Sequence, residues 1–195
     1  MKVGLFGANG RMGRVLVEAL DLSEDAQLSV ATVRDDSPWV GLNVGELAGI
    51  GKKDVDCTAL SDLSGNDADV MIDFTLPSVI ESNLTWCVKN KMPVVIGTTG
   101  LNDSQLAALD EAAKHIPIVF AANYSVGVNL MLSLVRQAAS VLGETADIEI
   151  TEAHHRFKQD APSGTAMAIG EAIADELGRD LKTCAVYGRE GKEPE

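Results

Sequence analysis

The sequence predicts an α/β protein: a doubly wound parallel sheet over residues 1–124, followed by a second, α+β domain over residues 125–195. Three observations predict it. The chain opens with an apolar strand-forming run, a glycine turn and a helical pattern in immediate succession. Near-continuous apolar runs then recur between amphipathic stretches, the pattern of parallel strands buried on both faces. From Ser125 the rhythm changes to one long helical pattern and then a period-two alternation, which marks a different layer architecture.

Residues 2–6 (KVGLF) read as the first strand. GANGRMG follows without a break and places glycines at 7, 10 and 13, and RVLVEAL continues with helical periodicity. Strand, glycine turn and helix in this order are the context of a dinucleotide-binding turn, hence of a Rossmann-like fold. Gly7 permits the tight turn, Gly10 lets backbone approach a pyrophosphate, and Gly13 lets the helix lie close on the strand. The diphosphate is expected on the unpaired N–H groups of the helix start. Taken alone, three glycines at this spacing serve packing as often as binding, and the preceding strand is what favours the second reading.

Residues 27–33 (QLSVATV) form the second expected strand, and residues 34–69, rich in Gly, Asp and Lys, carry little pattern. Residues 69–75 (DVMIDFT) read as a buried strand, and Pro77-Ser78 opens a helix running to about Asn90. Residues 93–97 (PVVIG) and 118–122 (IVFAA) are further strands, with Asn102, Asp103 and Ser104 offering caps to the helix between them. Ligands of such sheets bind beyond the carboxyl ends of the strands. Gly7-Ala8-Asn9-Gly10, Arg34, Thr75, Gly97-Thr98-Thr99 and Asn123-Tyr124 all fall there, which outlines one long groove. Residues 126–143 predict a long helix, with a hinge at 123–127 before it, and residues 146–152 (ADIEITE) predict a strand with one solvated side.

Composition narrows the function classes. With 46% apolar residues in 195, the chain can bury a real core. A net charge of −13 argues against nucleic acid or an anionic membrane surface as partner. No apolar run is long enough to span a bilayer, and the N-terminus runs straight into a strand, so a cytoplasmic location is expected. Cys57, Cys87 and Cys184 are odd in number and far apart, which predicts reduced thiols, not bridges or metal ligands.

Against that acidic background, residues 152–166 (EAHHRFKQDAPSGTA) gather His154, His155, Arg156 and Lys158 directly before a helix start at Ser163-Gly164-Thr165. Proton donors and positive charge beside unpaired backbone N–H groups suit a small carboxylate that is protonated as it reacts. Simpler readings stand beside this one. If the two histidines lie in a strand they face opposite sides, which leaves one of them as an ordinary solvated residue. Ser163 is an N-cap whether or not anything binds. His115 reads as a surface residue at a helix C-terminus. The run lacks the spaced ligands that zinc requires, so no metal is expected.

Five stretches now carry a family resemblance: GANGRMGR at 7–14, DFTLP at 73–77, VVIGTTG at 94–100, FAANYSVGVN at 120–129, and the 152–166 run. Through them the chain resembles, along its whole length, the 4-hydroxy-tetrahydrodipicolinate reductases, NAD(P)H-dependent enzymes of bacterial lysine and diaminopimelate synthesis. The resemblance implies that Gly7, Ala8, Asn9, Gly10, Arg11 and Met12 lie along the dinucleotide. It implies that Gly97, Thr98 and Thr99 border the nicotinamide, and that Ala121, Ala122, Asn123 and Tyr124 close over the cofactor. His155, Lys158, Ser163, Gly164 and Thr165 are implied as substrate contacts, with His154 and Lys158 as candidate proton donors. The implied substrate is a small cyclic dicarboxylate, and the implied assembly is a homotetramer.

Two departures from the family pattern add expectations. Family members continue past the point where this chain ends, so residues 125–195 are expected to be an incomplete substrate and oligomerisation domain, and the natural protein longer. At the end of the second strand, Val33 stands where NAD-preferring folds place an acidic side chain, and Arg34 follows it. A guanidinium suits a 2′-phosphate, with Arg11 as a second charge nearby, so NADPH is expected over NADH. Asp35 restores NADH use if the register slips. The competing class is a non-catalytic NAD(P)-binding redox sensor, which needs the groove but not the 152–166 donor cluster.

Overall fold

In the computed structural model, which describes residues 1–65, 67–156, 158, 160–188 and 191–192, the N-terminal glycine turn sits at the centre of a six-stranded parallel sheet. Its strands are β1 (Lys2–Phe6), β2 (Gln27–Val33), β3 (Cys57–Ala59), β4 (Val70–Asp73), β5 (Val94–Ile96) and β6 (Ile118–Phe120), in the order β3-β2-β1-β4-β5-β6. The helices of this unit are α1 (Arg11–Asp21), α2 (Val44–Ala48), α3 (Ile80–Asn90) and α4 (Asp103–Ala113). The order reverses between β1 and β4, which opens a crevice at their carboxyl ends. This is the Rossmann-like doubly wound sheet that the sequence predicts.

Side-chain alternation along β1 separates two cores. Val3 and Leu5 join Val17, Ala31, Val33, Val44 and Cys57 on one side. Phe6 joins Met71, Ile80, Leu84, Cys87, Ile96 and Leu109 on the other. Successive side chains point to opposite faces of a strand, so one five-residue strand anchors both layers. Asn102 and Gln105 form a reciprocal capping box at the start of α4, which stabilises that helix by about 1 kcal/mol.

The structure revises several expected boundaries. The stretch at 34–69 contains α2 and the edge strand β3, both too short to show a period. The helix expected from Pro77 begins with a 3-10 turn, Pro77–Val79, before α3. The strand β6 is partly exposed at the sheet edge, with Val119 at 57% and Phe120 at 38%. Burial on both faces therefore describes β1 to β5 better than β6. Cys57 and Cys87 are buried and Cys184 is exposed, all three unpaired.

The chain folds as two compact units, Met1–Ala122 and Asn123–Glu195. The second unit holds α5 (Val126–Leu142), β7 (Asp160–Ala161), α6 (Gly164–Glu176), α7 (Leu181–Cys184) and β8 (Gly191–Lys192), with β7 and β8 antiparallel. The helices α5 and α6 pack together, and a Cβ on Gly143 would lie 2.4 Å from Leu177 Cδ2. Residues 146–152 are not a strand, contrary to their alternation. A strand exists only with a ladder partner, and among the described residues none pairs with this stretch. Ile148 and Ile150, its apolar side, are 43% and 42% exposed. No helix among the described residues is long and apolar enough to cross a membrane.

Candidate functional site

The first candidate site is the crevice at the β1/β4 reversal. Gly7 adopts φ +67°, a conformation that L side chains rarely adopt, and a Cβ there would meet Thr75 Cγ2 at 2.8 Å. Gly10 N donates to Gly7 O at 3.0 Å and closes the turn. A Cβ on Gly13 would lie 2.4 Å from Gly7 O and 2.7 Å from Ala8 Cα. Glycine at 13 is thus what lets α1 start against the end of β1. Gly10 is the N-cap and supplies no side chain, and among the described residues no acceptor is found for the N–H groups of Arg11 and Met12. Two unclaimed donors at the positive end of an eleven-residue helix fit the pyrophosphate of a dinucleotide.

The candidate cofactor residues divide by what they can offer. Ala8 is fully buried and gives its N–H to Thr32 O at 2.9 Å, so it shapes the turn and has no donor to spare. Asn9 accepts at its carbonyl from Arg14 Nε at 3.2 Å, and the Arg14 guanidinium lies 5.9 Å from the Trp39 ring centroid. Sequence reasoning missed both Arg14 and Trp39. The arginine four residues after Gly10 was the available signal. Arg34 follows the buried Val33 and is exposed, with a loose contact to Asp36 at 3.7 Å. Asp35 Oδ1 instead accepts from Ser61 N at 3.3 Å.

At the ends of β4 and β5, Gly97 leaves room for the Phe74 ring, since a Cβ there would come within 2.1 Å of Phe74 Cε1. Thr98 is 2% exposed, and its hydroxyl donates to Asp73 Oδ1 at 3.0 Å while accepting from Thr75 N at 3.0 Å. Thr98 can therefore touch a ligand only through its backbone, whereas Thr99 is exposed. Ala121 closes the ladder by donating to Ile96 O at 3.2 Å, and Ala122 ends this unit.

The second candidate site lies in the unit Asn123–Glu195. Asn123 Oδ1 accepts from Ser125 N at 2.7 Å, and Ser125 caps α5, so Asn123 is committed to starting that helix. Tyr124 is 41% exposed. Ser163 caps α6, its hydroxyl accepting from Ala166 N at 3.1 Å. The N–H groups of Gly164 and Thr165 have no acceptor among the described residues, and a Cβ on Gly164 would meet nothing within 4 Å. Two unclaimed donors facing open space at a helix N-terminus suit a carboxylate.

Glu152 joins this helix start to the histidines. One carboxylate oxygen accepts from Ser163 N at 2.8 Å and the other lies 3.4 Å from His154 Nδ1. Hydrogen bonds from Ser163 hold the Glu152 carboxyl below the usual carboxylate range, with smaller effects of the same sign from His154 and Lys158. His155 and Lys158 close a turn, Lys158 N donating to His155 O at 3.1 Å. His154, His155 and Arg156 are exposed and lie outside any strand, so the opposite-faces argument does not apply to them. A depressed carboxyl contributes stability above its ordinary value near 4.5, and that contribution is lost as pH falls through the folded value. The melting-temperature gap between wild type and Glu152→Gln is therefore expected at neutral pH and to close as pH falls below the ordinary carboxylate value of 4.5 and through the lower folded value. A gap unchanged across that range contradicts the linkage.

Comparison with known proteins bears on both sites. Residues 1–124 match the family model described as dihydrodipicolinate reductase, N-terminus, and residues 127–193 match its C-terminus counterpart. The 4-hydroxy-tetrahydrodipicolinate reductase of Pseudoalteromonas atlantica is 64% identical over 190 residues, covering 97% of this chain and 71% of that protein. The protein of the same name from Acinetobacter baumannii is 54% identical over 190 residues, covering 97% and 69%. Among solved structures, a dipicolinate-bound dihydrodipicolinate reductase from Paenisporosarcina sp. TG-14 superposes with a TM-score of 0.73 at 27% identity, covering 97% of this chain and 69% of that one.

Proposed function

The chain belongs to the dihydrodipicolinate reductase family, and we propose that it is an NAD(P)H-dependent oxidoreductase that reduces 4-hydroxy-tetrahydrodipicolinate to tetrahydrodipicolinate in diaminopimelate and lysine synthesis. The observation that carries the reading is the pair of helix starts with unclaimed N–H donors. One lies behind a glycine turn and suits a diphosphate; the other lies beside His154 and Lys158 and suits a carboxylate.

A reduced nicotinamide dinucleotide supplies the hydride when bound. The rest falls to the chain's own residues. Residues 1–124 form the dinucleotide domain, where Gly7, Asn9, Gly10, Arg11 and Met12 take the pyrophosphate side. Gly97, Thr98, Thr99, Ala121, Ala122, Asn123 and Tyr124 take the nicotinamide side. Residues 125–195 belong to the substrate domain. There Gly164 and Thr165 N–H groups hold one substrate carboxylate while Lys158 supplies positive charge and His155 contacts the substrate. The substrate gains negative charge as hydride arrives and needs a proton, and Lys158 or His154 donates it. The substrate hydroxyl leaves as water with one hydrogen from the ring, so that one hydride and one donated proton balance the conversion. The setting is the cytoplasm and the assembly a homotetramer.

Arg34 sets the cofactor preference. Val33 is buried and cannot accept from a ribose hydroxyl, and Asp35 is turned to Ser61 N, so the guanidinium is left to meet a 2′-phosphate. NADPH is expected over NADH. Arg34→Ala is expected to raise KM for NADPH about ten- to a hundredfold, a charge-assisted hydrogen bond of about 1.5–3 kcal/mol, and to leave NADH nearly untouched. Equal weakening of both cofactors would show that Arg34 does not read the phosphate.

Turnover tests the function against the sensor reading. Reduced-cofactor absorbance is followed after substrate is added to the purified protein. Steady loss, with many turnovers per protein chain, is expected of the enzyme; binding of dinucleotide without loss would make the protein a sensor.

A further inference from the structure

Asp73 is a carboxylate with 1% exposure at the last residue of β4, and nothing in the mechanism above uses it. It stands opposite Phe6 in the β1–β4 register, hence next to Gly7 at the reversal of strand order. Four donors converge on it. Oδ1 accepts from Thr75 N at 2.9 Å, Thr75 Oγ1 at 2.6 Å and Thr98 Oγ1 at 3.0 Å, and Oδ2 accepts from Asn83 Nδ2 at 2.8 Å. All four are neutral, and the arrangement suits an acceptor-only carboxylate. A buried charge is costly, and an asparagine or an apolar residue would be the cheaper filling for a purely structural place. The charge is felt in the core: burial and then Asp73 push the Cys87 thiol up to about 12.

We propose that Asp73 is a positioning residue of the cofactor crevice, tying Thr75 and Thr98 into one clamp and placing a fixed negative charge beneath its nicotinamide end. The inference rests on the dinucleotide reading of that crevice. The clamp follows from the contacts. Thr75 fills the space that a Cβ on Gly7 would take, and Thr98 is the second residue after β5, so one carboxylate sets both walls. The charge has a separate consequence. An oxidised nicotinamide ring carries one more positive charge than a reduced one, so a buried anion nearby favours the oxidised form and with it hydride departure. Its repulsion of the pyrophosphate is the same for both forms and cancels in their ratio.

Calorimetric titration with NADPH, NADP⁺ and 2′,5′-ADP, which carries only the adenosine half, tests the two parts. Asp73→Asn is expected to leave Kd for 2′,5′-ADP within about twofold and to raise Kd for NADP⁺ on the order of tenfold. NADPH should weaken less, so that the ratio of the two rises at least about threefold. Thr98→Val keeps the carboxylate and removes both hydrogen bonds of the Thr98 hydroxyl, to Asp73 Oδ1 and from Thr75 N, so it should weaken both dinucleotides several-fold at a constant ratio and spare 2′,5′-ADP. An unchanged ratio in Asp73→Asn, or an equal loss of 2′,5′-ADP, overturns the proposal. Should circular dichroism show Asp73→Asn unfolded, Thr98→Val decides the clamp, and unaltered dinucleotide binding overturns it. A wild-type protein that binds none of the three overturns the dinucleotide reading itself.

Discussion

Lys158→Gln is expected to lower kcat by about 10²–10⁴, the range that a positioned general acid contributes, while dinucleotide affinity stays within about twofold. Glutamine keeps most of the length and removes both the proton and the positive charge. Lys158 lies in the turn closed onto His155 O, a few residues before the N-terminus of α6. The dinucleotide donors lie in a different unit, which is why binding and chemistry should separate in this variant. His154→Gln supplies the comparison, because its ring is already engaged by Glu152. The larger loss of kcat identifies the donor. Near-wild-type kcat in both variants would remove this segment from the mechanism.

The second large effect is expected at Gly13. In Gly13→Ala the new methyl would meet Gly7 O at 2.4 Å and the Ala8 backbone at 2.7 Å, and neither is a flexible side chain that can swing away. The start of α1 must move off β1, which costs about 1–3 kcal/mol as overpacking and disturbs the Arg11 and Met12 donors. Lower thermal stability and at least about a tenfold loss of NADPH affinity are expected together, as read by melting and calorimetry. Unchanged affinity in a folded Gly13→Ala would mean that the helix start does not hold the pyrophosphate.

Both effects begin from residues whose types are visible in the sequence, and their partners are not. Strand, glycine turn and helix at 2–20 announce the Rossmann-like sheet, because Gly7, at φ +67°, and Gly13, against the Gly7 and Ala8 backbone, answer constraints that a side chain meets only with strain. The apolar runs at β4, β5 and β6 placed the crevice, although a stretch as short as Cys57–Ala59 has no period to detect. Residues 146–152 show the limit from the other side. Their alternation is real, but pairing depends on a neighbour that local pattern does not encode. Side-chain commitments were likewise hidden. That Thr98 spends its hydroxyl on Asp73, and Glu152 its carboxylate on Ser163 and His154, follows from contacts 25, 11 and 2 positions apart. Asp73 is visible in the sequence as the acidic end of an apolar strand and the first residue of the DFTLP stretch, but its four donors are not.

On this protein hydride is expected to pass from the dinucleotide to a small cyclic dicarboxylate. Single-turnover reaction with reduced cofactor deuterated at the transferred position of the nicotinamide, followed by mass spectrometry of the organic product, tests it most directly. The expected product is tetrahydrodipicolinate one mass unit heavier than that formed with unlabelled cofactor, in an amount equal to the cofactor oxidised. Unlabelled product, or oxidised cofactor with no reduced dicarboxylate, would contradict it.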